Sequence, residues 1–283
     1  MIYFLTVNYY STNLVAQLIN SLPNGTNIEY KTVIINNSPE DDSIHNLQSE
    51  SVLIIDAGSN LGFGNACNLG IKWIYTQNTQ AIIWIINPDA YLPENTLSQV
   101  NPFLKLHPEI SILGTIIHTP TGEIWFAGGR FIRTIGSILT QDMLTNTDAE
   151  YVACDWVSGC SLIINLANFR ECPLFDPAYF LYYEDFEFCR RYANEGYLIA
   201  ITKQFDVLHQ PSSITNRNIF LKTKHSTYSY LLTLDKHTNK LVFIVRGTRL
   251  ICYALLLMFV KPQIGLGKLY GMLNYWRRYS NPK

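Results

Sequence analysis

A chain of 283 residues has room for one large domain or two small ones, and 48% apolar content excludes a disordered chain. Charged residues make up only 15%, against roughly 25% for an average soluble domain. The formal net charge of −1 argues against a nucleic-acid partner, which calls for a basic protein. That balance conceals a split. Up to Asp206 the chain carries nine basic and 21 acidic side chains, net −12; from Val207 to Lys283 it carries twelve basic and one acidic, Asp235, net +11. An acidic body with a basic tail points to an anionic partner for the tail.

Ile2–Val7 is the first strand candidate and Asn13–Leu22 the first helix. Thr32–Ile35 and Val52–Ile55 read as strands. Gly64–Tyr75 reads as a helix, with Ala66, Leu69 and Trp73 on one face and Asn65, Asn68 and Lys72 on another. Ala81–Ile86 is apolar throughout, as a strand buried on both faces should be. A helix over Leu97–Leu106 and a strand over Ile110–Ile117 complete an alternation that predicts an α/β fold with a mostly parallel sheet. Glu123–Thr140 is glycine-rich and hairpin-like; Ser161–Ile164 is a strand and Glu184–Asn194 a helix closed by Gly196. Leu198–Ile201 and Asp206–Leu208 read as two short strands. From about Asn216 the pattern is helical over Ile219–Leu234, Lys240–Val260 and Leu266–Arg277, with Pro262 as a breaker. This divides the chain into a body, 1–215, and a basic helical extension, 216–283.

The six cysteines, at 67, 154, 160, 172, 189 and 252, include no CxxC pair and read as reduced thiols of a cytosolic protein. The start, MIYFLTVNYYS, lacks the basic region and cleavage site of a signal peptide. The longest charge-free apolar run of the tail, Leu250–Val260, has 11 residues. A spanning helix needs about 20, so membrane contact is expected to be peripheral.

Ligands of such sheets gather at the C-terminal ends of the strands. Here every strand end is followed by Asn, Asp, Ser or Gly: NYYS from Asn8, NNSPEDD from Asn36, NLGFGNACNLG from Asn60 and NPDAYL from Asn87. Together with DWVSGCSLII (155–164), FDPAYFLYYEDFEFCRRYANEGY (175–197) and HQPSS from His209, these segments resemble the family 2 glycosyltransferases of the GT-A fold. The likeness is greatest to the rhamnosyltransferase-like branch that builds bacterial surface polysaccharides.

The resemblance covers residues 3–210 and implies a GT-A nucleotide-binding half joined to a half that binds the acceptor. It implies transfer of a sugar, with inversion, from a nucleotide diphosphate donor to a saccharide or lipid-linked saccharide. Thymidine diphosphate rhamnose or a UDP-sugar is the donor implied. Such chemistry needs a hard cation, Mg²⁺ or Mn²⁺, held by few carboxylates plus phosphate oxygens. Asp89 is the metal candidate; the family's further acid is Asn87 here. The resemblance puts the base that takes the acceptor's proton at Asp185. Glu184 points about 100° away and is expected to hold the helix start or a neighbouring donor. The family acid that accepts the N3–H of uracil or thymine aligns with Asn36, which can accept that proton only without charge. Val7, Tyr9, Asn60, Asn68 and Asn87 complete the nucleotide candidates, with turn formation the other reading of the asparagines. His209 either reaches the metal or diphosphate or is structural. Trp156, Ser158, Gly159 and Tyr183 match segments facing sugar and acceptor, with core packing the alternative for the aromatics.

Arg246 and Arg249 share a helix face, and the apolar run 250–260 follows at once. That arrangement suits either the surface of an anionic membrane, at the inner face for a cytoplasmic enzyme, or a helix packed on the body. Two other functions compete. A dinucleotide oxidoreductase is disfavoured because Cys67 replaces the third glycine of the fingerprint and the motif follows the third strand. A non-catalytic nucleotide-sugar binder is suggested by Asn36 and Asn87 and opposed by Asp89 and Asp185.

Overall fold

The structure, a computed structural model, describes residues 1–23, 29–94, 96–210 and 218–280. Its first strands are β1 (Ile2–Asn8), β2 (Tyr30–Asn36), β3 (Val52–Asp56) and β4 (Ile82–Ile86). The order β3-β2-β1-β4 is parallel throughout, and the strands are joined by α1 (Thr12–Ser21) and α2 (Phe63–Gln77). β1 and the apolar run of β4 are buried along nearly their whole length because helices and loops cover both faces. Beyond β4 lie β11 (Ser161–Asn165), β6 (Ile110–His118), β12 (Leu198–His209) and β10 (Tyr151–Ala153). β11 runs antiparallel to both β4 and β6, so β6 and β12 point the same way as the first four strands. The start of β11 therefore meets the end of β4 at one edge of the sheet. Trp84, fully buried at the centre, donates from Nε1 to Ser161 Oγ at 2.9 Å.

Short strands β5 (Ala90–Tyr91) and β7 (Ile124–Phe126) pair with β12 and β6. β8 (Gly129–Ile132) and β9 (Ser137–Thr140) form a separate hairpin. Helices α3 (Thr96–Leu106) and α4 (Glu184–Asn194) flank the sheet, followed by α5 (Ile219–His237), α6 (Lys240–Val260) and α7 (Pro262–Ser280). The α/β arrangement with a helical C-terminal part is the one expected. The boundary at 215–216 and the last residues of HQPSS lie outside the described residues.

Four local readings change. The two short strands around Lys203 are one strand, β12, whose register against β6 shifts between Thr202 and Asp206. This bulge accommodates the polar Lys203 and Gln204 and realigns the strand's end. In α2 the buried face is Gly64, Cys67, Asn68, Ile71 and Ile74, whereas Leu69 and Trp73 are only partly covered. Asn68 thus lies inside, not on the polar face. Pro262 opens α7, where its missing N–H costs nothing. Finally, α6 runs 21 residues with a mean hydropathy of 1.9 and only 11% of its apolar window buried. By length and composition it could cross a membrane, although its charge-free run is short.

The loop before α4 is gripped from two sides. From α2, Asn68 Nδ2 donates to Phe175 O at 2.9 Å and its Oδ1 accepts from Phe175 N at 2.7 Å. Asn65 Nδ2 donates to Pro177 O, and Phe63 N donates to Phe180 O at 3.0 Å. From α5, Ser229 Oγ donates to Leu181 O at 2.8 Å, and Tyr179 OH meets Thr233 Oγ1 at 3.1 Å. Lys236 pairs with Asp176, and the His225 ring stacks on Phe180 at 4.5 Å. Tyr179 packs with Leu231, Leu232, Ala254, Met272 and Tyr275, so the core of the helical part reaches into the body.

Gly62 makes the α2 contact possible. Its φ is +80°, and a Cβ there would lie 2.0 Å from Phe180 O. Gly58 has a similar φ of +72° but open space where a Cβ would go. Gly58→Ala should therefore cost only the left-handed backbone penalty, about 1–2 kcal/mol. Gly62→Ala should cost clearly more in urea unfolding, because the penalty adds to a backbone collision. Equal losses for the two variants would show that the 62–180 approach is not a constraint.

Candidate active site

One edge of the sheet collects the C-terminal ends of β1, β2, β3, β4 and β12 with the start of β11, and most of the polar residues singled out from the sequence lie along it. At the end of β4, Asn87 N donates to Cys160 O and Ala90 N to Asn87 O, which fixes the NPDA turn. Asp89 is 4% exposed, and its carbonyl accepts from Gln210 N at 3.0 Å. Because β5 pairs antiparallel with β12, His209 stands opposite Ala90. Its Nε2 lies 3.2 Å from Asp89 Oδ1, with the edge of Trp125 against the ring at 4.7 Å. His209 is 3% exposed, and neither ring nitrogen makes a hydrogen bond among the described residues.

A buried imidazole in that state, facing a carboxylate oxygen at ligand-to-ligand distance, fits a divalent cation that draws its other ligands from phosphate and water. No group of three or more His, Cys, Asp or Glu suited to a metal occurs among the described residues. Any cation here would therefore be completed by substrate.

The turn Ser158–Gly159–Cys160 lies beside Asn87–Asp89. Across it stands Asp185 at the start of α4. Its Oδ2 accepts from Gly159 N at 2.9 Å and its Oδ1 from Phe186 N at 2.8 Å. The charges of Asp89 and Asp185 both add to burial in pushing the Cys160 thiol up. The two carboxylates thus flank one turn. Burial raises the Asp185 pKa from its ordinary value, while the amides of Gly159, Phe186 and Asp185 itself hold it down in part. Ser158 Oγ accepts from Cys160 N and stabilises the turn.

Glu184 faces the other way. It is 6% exposed, lies over Gly64, and its Oε2 makes no hydrogen bond. Burial, reinforced by the Asp185 charge, pushes its pKa up to about 8. The Glu184 amide, at the start of α4, acts against that rise, and the carboxyl sits between α4 and α2. The two residues before it, Tyr182 (φ +69°) and Tyr183 (φ +65°), occupy the left-handed region, uncommon for bulky side chains. This double reversal turns the chain out of the gripped loop and starts α4 at the edge of the site.

The asparagines behave differently from one another. Asn8, Asn36 and Asp56 are in register across the ends of β1, β2 and β3. Asn36 Oδ1 accepts from Asn8 Nδ2 and Ser38 N, and its Nδ2 donates to Asp56 Oδ1 at 2.9 Å and to Asp41 O. The carboxylate of this row therefore belongs to Asp56, which also meets His45 Nε2 at 3.3 Å. Asp56 ends β3 one residue beyond the apolar run Val52–Ile55, so the apolar pattern alone misses it, yet it obeys the strand-end rule that picks out its neighbours. Asn60 Oδ1 accepts from Asn37 Nδ2 and Gly62 N and so orders the approach to α2. Asn68 is held on the Phe175 backbone, away from this edge. Val7 is buried within the β1–β2 ladder, and Tyr9 is exposed, its ring 5.0 Å from Tyr10. Beside them a cleft of about 390 Å³ is lined by Tyr10, Ser11, Thr12, Asn13, Asp41 and Ser43, among others. Trp156 lies over Gly129, ringed by Phe126 and Phe186, and joins Tyr183 in lining a second cavity of about 340 Å³.

Comparison with known proteins bears on this edge. Residues 4–161 match the sequence family described as glycosyl transferase family 2. The low-salt glycan biosynthesis hexosyltransferase Agl10 of Haloferax volcanii is 23% identical over 183 residues, which is 62% of this chain and 58% of that protein. The N-acetylglucosaminyl-diphospho-decaprenol L-rhamnosyltransferase of Mycobacterium tuberculosis is 23% identical over 212 residues, 67% of this chain and 69% of that one. Among solved structures, GalNAc-T7 with UDP, GalNAc and Mn2+ superposes with a TM-score of 0.61 at 14% identity, over 81% of this chain and 47% of that one. This likeness establishes the GT-A type of fold. The chain spans little more than half of the archaeal relative's length.

The state of Glu184 is measurable. A carboxyl whose folded pKa exceeds its unfolded value of about 4.3 favours folding fully only below that value. The advantage is lost as pH rises through about 8. Glu184→Gln, which cannot ionise, should gain thermal stability relative to wild type between pH 5 and pH 8.5. Parallel Tm profiles for the two proteins would rule out a buried, proton-carrying Glu184.

Proposed function

The chain belongs to glycosyl transferase family 2, and on that premise we propose that it transfers a sugar, with inversion, from a pyrimidine nucleotide diphosphate donor to a lipid-linked or free saccharide. The observation that carries this reading is the pair Asp89 and Asp185 on opposite sides of the 158–160 turn. The printed activities of the relatives, a hexosyltransferase and a rhamnosyltransferase of glycan assembly, support the class of reaction and make dTDP-rhamnose or a UDP-sugar the first donors to try.

In this reading the diphosphate lies toward Asp89 and His209, and the base lies toward the row Asn8, Asn36 and Asp56. A Mg²⁺ or Mn²⁺ ion held by Asp89 and His209 would offset the charge of the leaving diphosphate. Asp185 takes the proton of the attacking acceptor hydroxyl. That oxygen bonds to the anomeric carbon as the bond from carbon to the diphosphate oxygen breaks, which inverts the centre. The Gly159 amide keeps the Asp185 carboxylate turned toward the turn. Burial tunes the group: it raises the Asp185 pKa above that of a solvated Asp, which makes the carboxylate a stronger base.

The tail is read as a peripheral membrane element at the inner face of the cell membrane. Leu241, Ile244, Ile251, Leu255, Leu256 and Phe259 of α6 are exposed, Phe259 to 90%. Lys240, Arg249 and Lys261 lie on the same helix or at its end and suit anionic headgroups. Arg246 donates to Ile135 O on the body, which favours a helix lying along the surface over one spanning it.

Asp185→Asn should lower kcat by about 10²–10⁴ with donor affinity retained. Asp89→Ala should abolish Mn²⁺-dependent turnover. Both are read by donor hydrolysis and transfer with a panel of UDP- and dTDP-sugars. Near-full transfer by Asp185→Asn overturns the base assignment, and preferential stabilisation by a guanosine donor overturns the pyrimidine assignment. The intact protein should co-float with phosphatidylglycerol-containing vesicles at low salt, and serine at 255, 256 and 259 should remove that binding. Failure of the wild type to float sinks the membrane reading.

A further inference from the structure

The cavity of about 340 Å³ lies between the body and the tail. Its walls are Gly136, Ser137, Ile138 and Thr140 of the β8–β9 hairpin, Trp156 and Tyr183 of the body, and Tyr230 and Arg246 of α5 and α6. Two of these walls lead directly to the catalytic carboxylate. Trp156 is three residues before Gly159, whose amide holds Asp185, and Tyr183 is two residues before Asp185 itself. The Tyr183 and Tyr230 rings are 5.7 Å apart.

On the far wall, Arg246 is half-buried and uses Nε on Ile135 O at 2.8 Å. Its two terminal nitrogens have neither a hydrogen bond nor a carboxylate among the described residues. Arg249 stands one turn on, also without a carboxylate there, and both guanidinium charges act on the Tyr230 phenol. By contrast, Lys236 and Arg278 of the same helical part are matched by Asp176 and Asp235. A guanidinium anchored through Nε presents its remaining fork outward, the geometry suited to phosphate oxygens. The surroundings of this fork are apolar and exposed. Ile132, Ile135 and Leu139 on the hairpin and Ile244 and Val245 on α6 are each more than 40% exposed.

We propose that this cavity is the acceptor site, and that Arg246, assisted by Arg249, binds a phosphate or diphosphate that joins the acceptor saccharide to a lipid chain. The saccharide then lies between Trp156 and Tyr183 with its hydroxyl toward Asp185, and the lipid leaves over the apolar hairpin and α6. The proposal rests on the transferase reading and assigns to the helical tail the recognition of the acceptor, so Arg246 becomes a specificity-determining residue contributed from outside the family match.

The test uses the full chain and farnesyl diphosphate as the probe, with no donor and no divalent metal, in calorimetric titration. Inorganic diphosphate and farnesol are the comparison ligands. Farnesyl diphosphate should bind at least tenfold more tightly than either. Arg246→Gln should weaken it about ten- to a hundredfold, as expected for loss of a charge-assisted contact. Arg246→Lys should recover part of that loss. Thr140→Trp, which fills the cavity from β9 without touching the arginine, should remove binding as well. Inorganic diphosphate binding as tightly as the probe would reduce the site to one for a free anion, and farnesol binding as tightly would reduce it to an apolar surface; either result overturns the proposal. So does unchanged binding by Arg246→Gln or Thr140→Trp. Donor hydrolysis by the wild type is followed separately: its absence removes the transferase reading, whereas probe binding that ignores Arg246 removes only the acceptor site.

Discussion

The amide of Phe63 can reach the carbonyl of Phe180 only because residue 62 has no side chain, and the placement of Asp185 depends on that contact. It brings the first turn of α2 against the loop 175–183, where Asn65 and Asn68 add further backbone bonds. With α5 on its other side, the loop has nowhere to go but through the left-handed turn at Tyr182 and Tyr183. α4 therefore starts with its first two acids on opposite sides. Asp185 meets the Gly159 amide, and Glu184 turns inward over Gly64. Neighbours in sequence thus differ in their surroundings, because the helix places them about 100° apart: Asp185 accepts from the Gly159 and Phe186 amides, and Glu184 is a buried carboxyl with a raised pKa.

The second half of the site depends on a strand irregularity. β12 slips in register against β6 after Thr202, and its continuation pairs with β5 so that His209 stands opposite Ala90. Without the slip the strand would carry its terminal side chain to the other face, since strand side chains alternate. A bulge near the middle of a strand therefore decides whether an imidazole reaches Asp89 at all.

These two constructions mark where the sequence could be read and where it could not. Alternating apolar runs were enough for the order of strands and helices, because β1 and β4 are buried on both faces and show it as unbroken apolar sequence. The polar residues at strand ends gather along one edge, as the strand-end pattern predicts. What composition and spacing do not encode is the direction of an amide. Asn68 and Asn60 carry the same side chain in the same motif, yet one grips the Phe175 backbone and the other orders the turn at Gly62. Asn36 aligned with an acid, but its amide is enclosed by Asn8, Ser38, Asp41 and Asp56, and the negative charge of that row sits one strand away. The Asn36–Asp56 and Asn68–Phe175 bonds join residues 20 and 107 apart in the chain, and no local pattern carries them.

The charge split acquires a physical meaning once the helices are in place. Packing on the body and exposure to solvent fall to different helices of the tail. α5 presents Ser229, Thr233, Lys236 and His225 to the loop beside the candidate site, and Lys236 is paired with Asp176. α6 touches the body through Arg246 and the residues around it and leaves most of its apolar length uncovered. A basic group that had evolved only to hold α6 in place would be better served by a carboxylate than by one backbone carbonyl, since the acidic body has carboxylates to offer. Arg246 and Arg249 therefore place positive charge on a helix that is little buried, beside the cavity next to Asp185. A ligand with a negative centre and an apolar extension would match both features at once, and the net −1 of the whole chain conceals that pairing of charge and apolar surface.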